Sequence, residues 1–548
     1  MSATLPIPSI WTTGSTASIK TGTWRAALAR HIHAPSPCHV ACPVGGAIAE
    51  WIGQARARDY RAAWDTLTRH NPFPSIAGRI CHHPCETACN RAGYDESLAI
   101  CKLERFVGDM ALEQGWQFPQ PERERAHRIA VVGGGPAGLS AAFQLRRRGY
   151  RVTLFEAQPE LGGLMRYGIP AYRLARRVLD GEVARILALG VEVRCGQPLA
   201  TPEDLARLRA GHDAVYLAVG ARRQKRLPQL DYGRAWVVDG ADYLARSSVG
   251  AAPALGHHVV VIGGGSAALD VARSARRAGH AVTILALESE AQMPAQREEV
   301  LEAREEGVAL CDGAMLRGVA EDGAALRLAC VRAKFEAGAR RGQFTVTPVP
   351  GSDFTLDADA IVSSIGQDPE LAPLSALAAD GLLLQTDAQG ATSAPGVWAG
   401  GDLASMARFV TEAIAMGERS ALAIHRQLSG EARAGDGVEA VVTLANINLH
   451  YHPAQARPAE PRLAPAQRLE HDGEVQLGLD IAQALAETVR CFSCGTCTHC
   501  DNCVDYCPDL AVQPADGGYT VLTDYCKGCG LCVKECPTGS LKMQEELR

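Results

Sequence analysis

The chain has 548 residues, with 55 basic against 61 acidic side chains and a formal charge of −6. At roughly 150 residues per domain this suggests three to four domains, and the charge balance argues against a general nucleic-acid or anionic-membrane surface, since both favour a basic excess. Aromatic content of 5% argues against base stacking, and no stretch reaches the ~18 uninterrupted apolar residues of a membrane span.

In chain order, the start MSATLPIPSIWTTGSTASIKTG lacks a basic opening and an apolar core. It is therefore no secretory signal, and a cytoplasmic location is expected. Residues 1–24, rich in Thr and Ser, read as an extended arm. The nineteen cysteines are odd in number and clustered. In a reducing compartment such thiols read as metal ligands rather than disulfides. From about 47 to 70, Ile48, Trp51, Ile52, Ala55, Tyr60, Trp64 and Leu67 recur at helical spacing until Asn71-Pro72 and Pro74. Cysteine groups flank this stretch, which reads as a small helical, cluster-bearing region.

The apolar run Ile129–Val132 leads into Gly133-Gly134-Gly135-Pro136-Ala137-Gly138. This is G-x-G-x-x-G between a strand and a helix. Gly133 permits the tight turn, Gly135 lets backbone approach a pyrophosphate, and Gly138 lets the helix pack on the strand. The helix N-terminus, through Pro136 and Ala137, favours phosphates. The next strand, Val152–Phe155, ends in Glu156, 18 residues past Gly138, where a carboxylate can accept ribose hydroxyls. A second run, Val259–Ile262, precedes Gly263-Gly264-Gly265-Ser266-Ala267-Ala268, and its second strand ends in Glu288, 20 residues past Ala268. A carboxylate there accepts from a 2′-hydroxyl and repels a 2′-phosphate, so NADH is expected over NADPH. Two such folds suggest FAD in one and a nicotinamide in the other. No Ser/His/Asp constellation is needed, and no catalytic acid–base residue is nominated.

The Pro- and Ala-rich stretch 453–466 reads as a linker. Beyond it, Cys497, Cys500, Cys503 and Cys507-Pro508 have the spacing C-x2-C-x2-C-x3-C-P, and Cys526, Cys529, Cys532 and Cys536-Pro537 repeat it. This is the bacterial two-cluster ferredoxin pattern, in which the fourth Cys of each run ligates the other [4Fe–4S] cube. One cube takes Cys497, Cys500, Cys503 and Cys536, and the other Cys526, Cys529, Cys532 and Cys507. The alternative, zinc, also uses C-x-x-C pairs, but two complete copies with both prolines favour cubes.

Taken together, these residues resemble the glutamate synthase small-subunit family. The likeness spans roughly 30–430 and rests on Cys42-Pro43, Gly78-Arg79-Ile80-Cys81 with Cys85 and Cys89, and the GGGPAG turn. It continues through Leu161-Gly162-Gly163-Leu164, Tyr167-Gly168-Ile169-Pro170, the second GGG turn, Met293-Pro294-Ala295 and Gly400-Gly401-Asp402. The resemblance implies that Gly163 and Leu164 belong to the FAD site, that Gly401 and Asp402 bind FAD near its ribityl and phosphate portion, and that a nicotinamide domain is inserted into the FAD domain. The fold implied is α/β, with two Rossmann-like dinucleotide-binding domains, an N-terminal helical Fe–S domain and a C-terminal two-cluster ferredoxin-like α+β domain. Boundaries are placed at 1–120 (arm and helical Fe–S domain), 121–250 and 376–430 (FAD domain), 251–375 (NAD(P) domain), 431–485 (linker) and 486–548 (ferredoxin-like domain).

Most similar is the branch with a ferredoxin-like tail, regarded as NAD(P)H:ferredoxin oxidoreductases. This implies electron transfer between NADH, or NADPH, and ferredoxin or a partner oxidoreductase subunit in a hetero-oligomer, as in complexes of the 2-oxoacid:ferredoxin oxidoreductase type. Relatives using NADPH usually carry an Arg pair where this chain has Leu287 and Glu288. Relatives with two N-terminal clusters begin with a CxxC pair, where this chain has Arg30 and His33; instead Cys491 and Cys494 form an additional CxxC before the ferredoxin motif. The family pattern implies one N-terminal cluster on Cys42, Cys81, Cys85 and a fourth ligand, Glu104 or its rival Cys101. Cys38 and Cys89 then remain as half a site, which Cys491 and Cys494 either complete or leave as unligated thiols. Cys101, Cys195, Cys311 and Cys330 read as ordinary buried thiols. His31, His33, His82 and His83 read as polar loop residues, and Arg146, Arg147 and Arg148 as a solvated helix face. Competing functions are the electron-input subunit of a glutamate synthase, a non-catalytic wiring or redox-sensing subunit, and direct reduction of a small organic substrate.

Overall fold

A computed structural model describes residues 20–322, 325–339, 342–431, 440–515 and 518–546. The expected arm up to residue 19 lies outside the described residues, as does 432–439 of the expected linker. Among the described residues, no helix is long and apolar enough to cross a membrane.

Two parallel five-stranded sheets form the frame. The first runs Val397–Ala399, Ala214–Leu217, Arg128–Val132, Arg151–Phe155, Glu192–Arg194. The second runs Ala309–Cys311, Ala281–Leu285, His258–Ile262, Ala360–Ser363, Val237–Asp239. Parallel strands are covered on both faces and so read as continuous apolar runs; Ile129–Val132 and Val259–Ile262 are buried throughout. The first sheet's edge strand, Val397–Ala399, follows the whole second sheet in sequence, so the second domain is an insertion. The chain crosses between them through the short pair Arg223–Gln224 and Gln367–Asp368. An antiparallel meander of Ala314–Asp322, Ala325–Ala337 and Phe344–Ala358 is attached to the second sheet.

The N-terminal helices Ile48–Arg56, Tyr60–Leu67, Pro74–Ile80 and Ile100–Glu113 do not build a separate core. Trp51, Trp64 and Phe73 share one apolar cluster with Val131, Leu145 and Ile186 of the first sheet domain. Asp59 caps the second helix, accepting from the Ala62 N–H at 3.0 Å. Pro74, read from the sequence as a stop, is also the first residue of the next helix, where its missing N–H costs nothing. The helices Pro74–Ile80 and Ile100–Glu113 cross so tightly that a Cβ on Gly78 would overlap the Arg105 backbone and one on Gly108 the Ser75 backbone. That crossing brings Arg105, the neighbour of Glu104, onto Gly78, three residues before Cys81.

At the other end, the hairpin Val512–Ala515/Gly518–Val521 and the strand Leu541–Glu545 belong to the cysteine module. The strand Ala27–His31 pairs with Leu541–Glu545, so the two ends of the chain close one small sheet.

From 453 onward the expected linker is a strap rather than a free spacer. Arg457 reaches Glu86, Glu460 bonds Lys102 at 2.7 Å, and Arg468 bonds Glu305 at 2.7 Å. Glu474 takes Arg79 Nε at 2.6 Å, Arg105 Nη2 at 3.2 Å and the Ala175 N–H at 3.2 Å. Composition suggested a linker because this stretch is held by charge pairs, which leave no apolar periodicity. Arg79 and Arg105 are almost fully buried, and stripping one partner from such a pair leaves uncompensated charge. Glu474→Ala is expected to destabilise the chain by about 3 kcal/mol in chemical denaturation, with Asp109 still paired to Arg79.

Arg146 corrects another expectation. It is 8% exposed, donates to the Leu189 carbonyl at 2.6 Å and pairs with Glu124. Arg147 and Arg148 are half-buried beside it.

Candidate functional site

The first glycine turn forms as its spacing requires. Gly133 has φ +109°, and a Cβ on Gly138 would overlap the Gly133 carbonyl oxygen. Gly163, at φ +54°, faces Gly135, and a Cβ there would come within 2.8 Å of the Gly135 Cα. Before Gly135 itself the space is open, with nothing nearer than 3.8 Å. The helix Pro136–Arg147 starts there and aims its N–H groups at that space. Glu156, at the end of the neighbouring strand, accepts from the Gly134 N–H and the Gln158 N–H, both at 2.7 Å. Leu164 opens the short helix Leu164–Tyr167 and is exposed.

Gly401 and Asp402 are brought to the same place. The Gly400 N–H donates to Leu217 O at 3.0 Å, and a Cβ on Gly401 would stand 3.2 Å from Ala137 Cβ. Burial raises the Asp402 carboxyl, an effect that Arg408 opposes. The next helix, Val410–Ser429, lies on Pro136–Arg147 at Gly417, where a Cβ would overlap the Ala137 carbonyl. A diphosphate against the helix start and a ribose against Glu156 fit this cradle.

The second turn repeats the design. Gly263 has φ +139°, and a Cβ on it would overlap Ser364 O. The helix Ser266–Arg277 begins there with Ala267 and a buried Ala268. Nothing lies closer than 4.0 Å to the Cβ position of Gly265. Glu288 hangs over the turn, with its Oε2 2.7 Å from the Cβ position of Gly264, and burial raises its pKa.

Cys42, Cys81, Cys85 and Glu104 are near enough to influence one another's charge. Burial raises Cys42 to about 11 and Cys81 to about 12, and the Glu104 charge adds to both. The Cys85 thiol is raised too, by burial and then by Cys81 and Cys42. Glu104 is itself pushed up to about 7 by burial, against the 2.7 Å hydrogen bond from Asn71. Cys101 turns its Sγ to the carbonyls of Gly78 at 3.4 Å and Ala77 at 3.6 Å.

Cys38 and Cys42 lie one helical turn apart, the Cys42 N–H donating to Cys38 O at 3.1 Å, while Cys89 follows the short helix Pro84–Thr87 that carries Cys85. Burial raises Cys38, and the charges of Cys491, Cys89 and Cys494 raise it further. In the terminal module, Cys503 is raised to about 12 by burial, then by Cys497, Cys500, Cys532 and Cys536. Cys532 rises to about 11 through burial and its neighbours Cys507, Cys526 and Cys529. Cys536 is thus among the neighbours of the first run and Cys507 among those of the second, as an exchange of fourth cysteines would require. A single tetrahedral zinc needs its thiolates ~2.3 Å from one point; among the described residues, no three Cys, His, Asp or Glu are so placed. A cube instead takes one thiolate on each of its four irons.

Of the remaining cysteines, Cys330 is buried, Cys311 half-buried and Cys195 exposed. Cys195 follows the short strand Glu192–Arg194 at the edge of the first sheet and is exposed, so its expected burial is corrected. His31 lies on a strand, not in a loop, and stacks on Tyr519 with ring centroids 5.4 Å apart. The sequence reading also missed Thr411, in the first turn of Val410–Ser429, whose Oγ1 is 3.7 Å from Cys81 Sγ. It missed Gln296, which donates to Cys81 O at 3.3 Å from the inserted domain. No local signal marks either residue, because both contacts join distant segments.

Comparison with known proteins agrees with this geometry. The pyridine nucleotide-disulphide oxidoreductase family matches residues 127–417, a dihydropyrimidine dehydrogenase domain II with a 4Fe-4S cluster matches 29–116, and a 4Fe-4S dicluster domain matches 496–541. The chain is 35% identical to the NADP(+)-dependent formate dehydrogenase subunit beta of Moorella thermoacetica, over 84% of this chain and 70% of that one. It is 31% identical to the NAD-dependent dihydropyrimidine dehydrogenase subunit PreT of Salmonella typhimurium, over 72% and 91%. With the glutamate synthase [NADPH] small chain of Azospirillum brasilense it shares 32%, over 74% and 88%. The chain belongs to the pyridine nucleotide-disulphide oxidoreductase family, in its glutamate synthase small-chain-like group, as an NAD(P)-dependent iron–sulfur flavoprotein with 4Fe–4S domains at both ends.

Proposed function

We propose that this chain moves electrons between NADH and a ferredoxin or partner oxidoreductase subunit of a cytoplasmic hetero-oligomer. Bound FAD supplies the conversion between the two-electron chemistry of a nicotinamide and the one-electron chemistry of iron–sulfur cubes. The chain's own residues hold and align. Gly133, Gly135 and Gly138 with Glu156, Gly163, Gly401 and Asp402 seat FAD; Gly263, Gly265, Ser266 and Ala268 with Glu288 seat NADH; Cys42, Cys81, Cys85 and Glu104 hold the first cube.

The observation that carries the reading is the meeting at Cys81. Thr411, of the helix behind the Gly401–Asp402 loop, touches its sulfur, and Gln296 of the nicotinamide domain holds its carbonyl. A cube at Cys81 would then lie beside the flavin cradle. The two terminal cubes, with Cys500 and Cys529 exposed, make an exit at the surface.

An anaerobic titration with NADH and with NADPH, following flavin and cluster absorbance, tests this. NADH is expected to bleach both chromophores; bleaching by neither nucleotide would mark a non-catalytic wiring subunit instead. Glu288→Arg is expected to shift the kcat/KM ratio toward NADPH by about tenfold or more, since a repelling charge over the 2′-phosphate position becomes an attracting one. Unchanged selectivity would place the discrimination elsewhere.

A further inference from the structure

We infer that Cys38, Cys89, Cys491 and Cys494 form a fourth [4Fe–4S] site, split between the two ends of the chain. The inference rests on the electron-transfer reading above and extends it. The family matches cover 29–116 and 496–541, so neither contains both halves of this group, and Cys491 and Cys494 lie outside both.

The two halves are held together by built contacts. Glu487, at the end of the helix Ile481–Arg490, accepts from the Ala99 N–H at 2.6 Å, and Arg490 donates to Glu96 O at 2.7 Å. Arg91 stacks over the Phe492 ring at 4.9 Å. The turn after Cys494 meets the segment before Cys38 so closely that a Cβ on Gly495 would overlap Ala34 O. One residue adjoining one half bonds a sulfur of the other, and two more bond sulfurs of their own half. Asn90, next to Cys89, donates from Nδ2 to Cys494 Sγ at 3.4 Å and to Val442 O at 3.0 Å. Ser36 Oγ stands 3.1 Å from Cys38 Sγ, and the Ser493 N–H points to Cys491 Sγ at 3.4 Å. These are the donors a charged thiolate cage needs in a buried place. The four sulfurs sense one another: Cys491 is raised by burial and by Cys89, and Cys494 by burial, Cys491 and Cys89.

The placement gives the site a role. Cys38 and Cys89 each stand four residues from a ligand of the first cube, and Cys494 stands three residues from Cys497 of the terminal pair. The split site is therefore the step between the flavin-side cube and the exit cubes, and it forms only when both ends of the chain are docked.

Anaerobically reconstituted full-length protein is expected to hold about sixteen irons per flavin, four for each cube. A Cys491→Ser/Cys494→Ser variant and a Cys38→Ser/Cys89→Ser variant should each lose about four irons, together with the same electron paramagnetic resonance signal, while flavin per chain reports that the fold survives. Asn90→Leu, which leaves every ligand in place, should keep the iron and lower the reduction potential of that one signal. A wild-type protein with about twelve irons, or serine pairs that lose different signals, would overturn the split site alone. A wild-type protein with no iron would overturn the electron-transfer reading beneath it.

Discussion

Gly138→Ala is expected to give a chain that purifies without flavin and melts early. A Cβ at this position would overlap the Gly133 carbonyl oxygen and stand 3.3 Å from Val131 Cγ1. The usual escape is for the helix to lift from its strand. Here the opposite face of the same helix is pinned, because Gly417 packs against the Ala137 carbonyl and Ser140 Oγ donates to Ile414 O at 2.8 Å. Overpacking with no room to relax costs about 3 kcal/mol. It also moves the helix start that faces the diphosphate, so stability and flavin are lost together. The matching position in the second domain is a control supplied by the chain itself. Ala268 carries a Cβ there and remains fully buried, so Ala268→Gly should leave nucleotide binding nearly intact. Flavin absorbance per chain and the thermal midpoint read the first variant; full flavin with an unchanged midpoint would show that the helix can shift after all.

What the sequence made legible was whatever a short window of chain must satisfy alone. A strand, a tight turn and a helix start fall within about a dozen residues, and the turn cannot close without its glycines. The ferredoxin runs are equally local. The C-x2-C loops present three thiolates to one centre, and the proline-marked fourth cysteine crosses to the other. The helix Ile48–Arg56 was legible because one face carries its apolar residues, and that face is the buried one.

What stayed hidden depends on residues far apart. Glu474 looks like a surface acid until Arg79 and Arg105 meet it from about 370 to 395 positions away. Arg146 sits in a run of three arginines that reads as solvated, yet it closes the end of its own helix against Leu189. Thr411 lies within a helical pattern and shows its role only through Cys81. The grouping of Cys38 and Cys89 with Cys491 and Cys494 rests in the sequence on counting alone; the contacts of Asn90, Glu487 and Arg490 that join the two segments have no local mark.

Removing residues 1–31 is expected to empty the terminal cysteine module while sparing the flavin. The described part of that segment is a structural piece of the module. Ala27–His31 pairs along its full length with Leu541–Glu545. Ala29 enters the small apolar core made by Cys503, Val512, Cys532, Cys536 and Leu541. The Gly22 N–H donates to Asp524 O at 2.8 Å and Thr21 Oγ1 to Tyr525 O at 2.5 Å, so the stretch before Cys526 is tied down at two points, and Arg25 bonds Glu546 at 2.6 Å, just past the last strand. Without the strand, the module keeps a single two-stranded hairpin, which is marginal on its own, and a core too small to hold eight thiols in place. The expected result is a loss of about eight irons per chain, the content of two cubes, with flavin still bound and still bleached by NADH but no reduction of an external one-electron acceptor. Ala29→Asp should reproduce the loss through a single buried charge. The strand contacts neither glycine turn, so a deleted chain that kept its iron would show that the module folds without the strand, and one that lost flavin as well would show that the two ends of the molecule stabilise each other more widely than these contacts require.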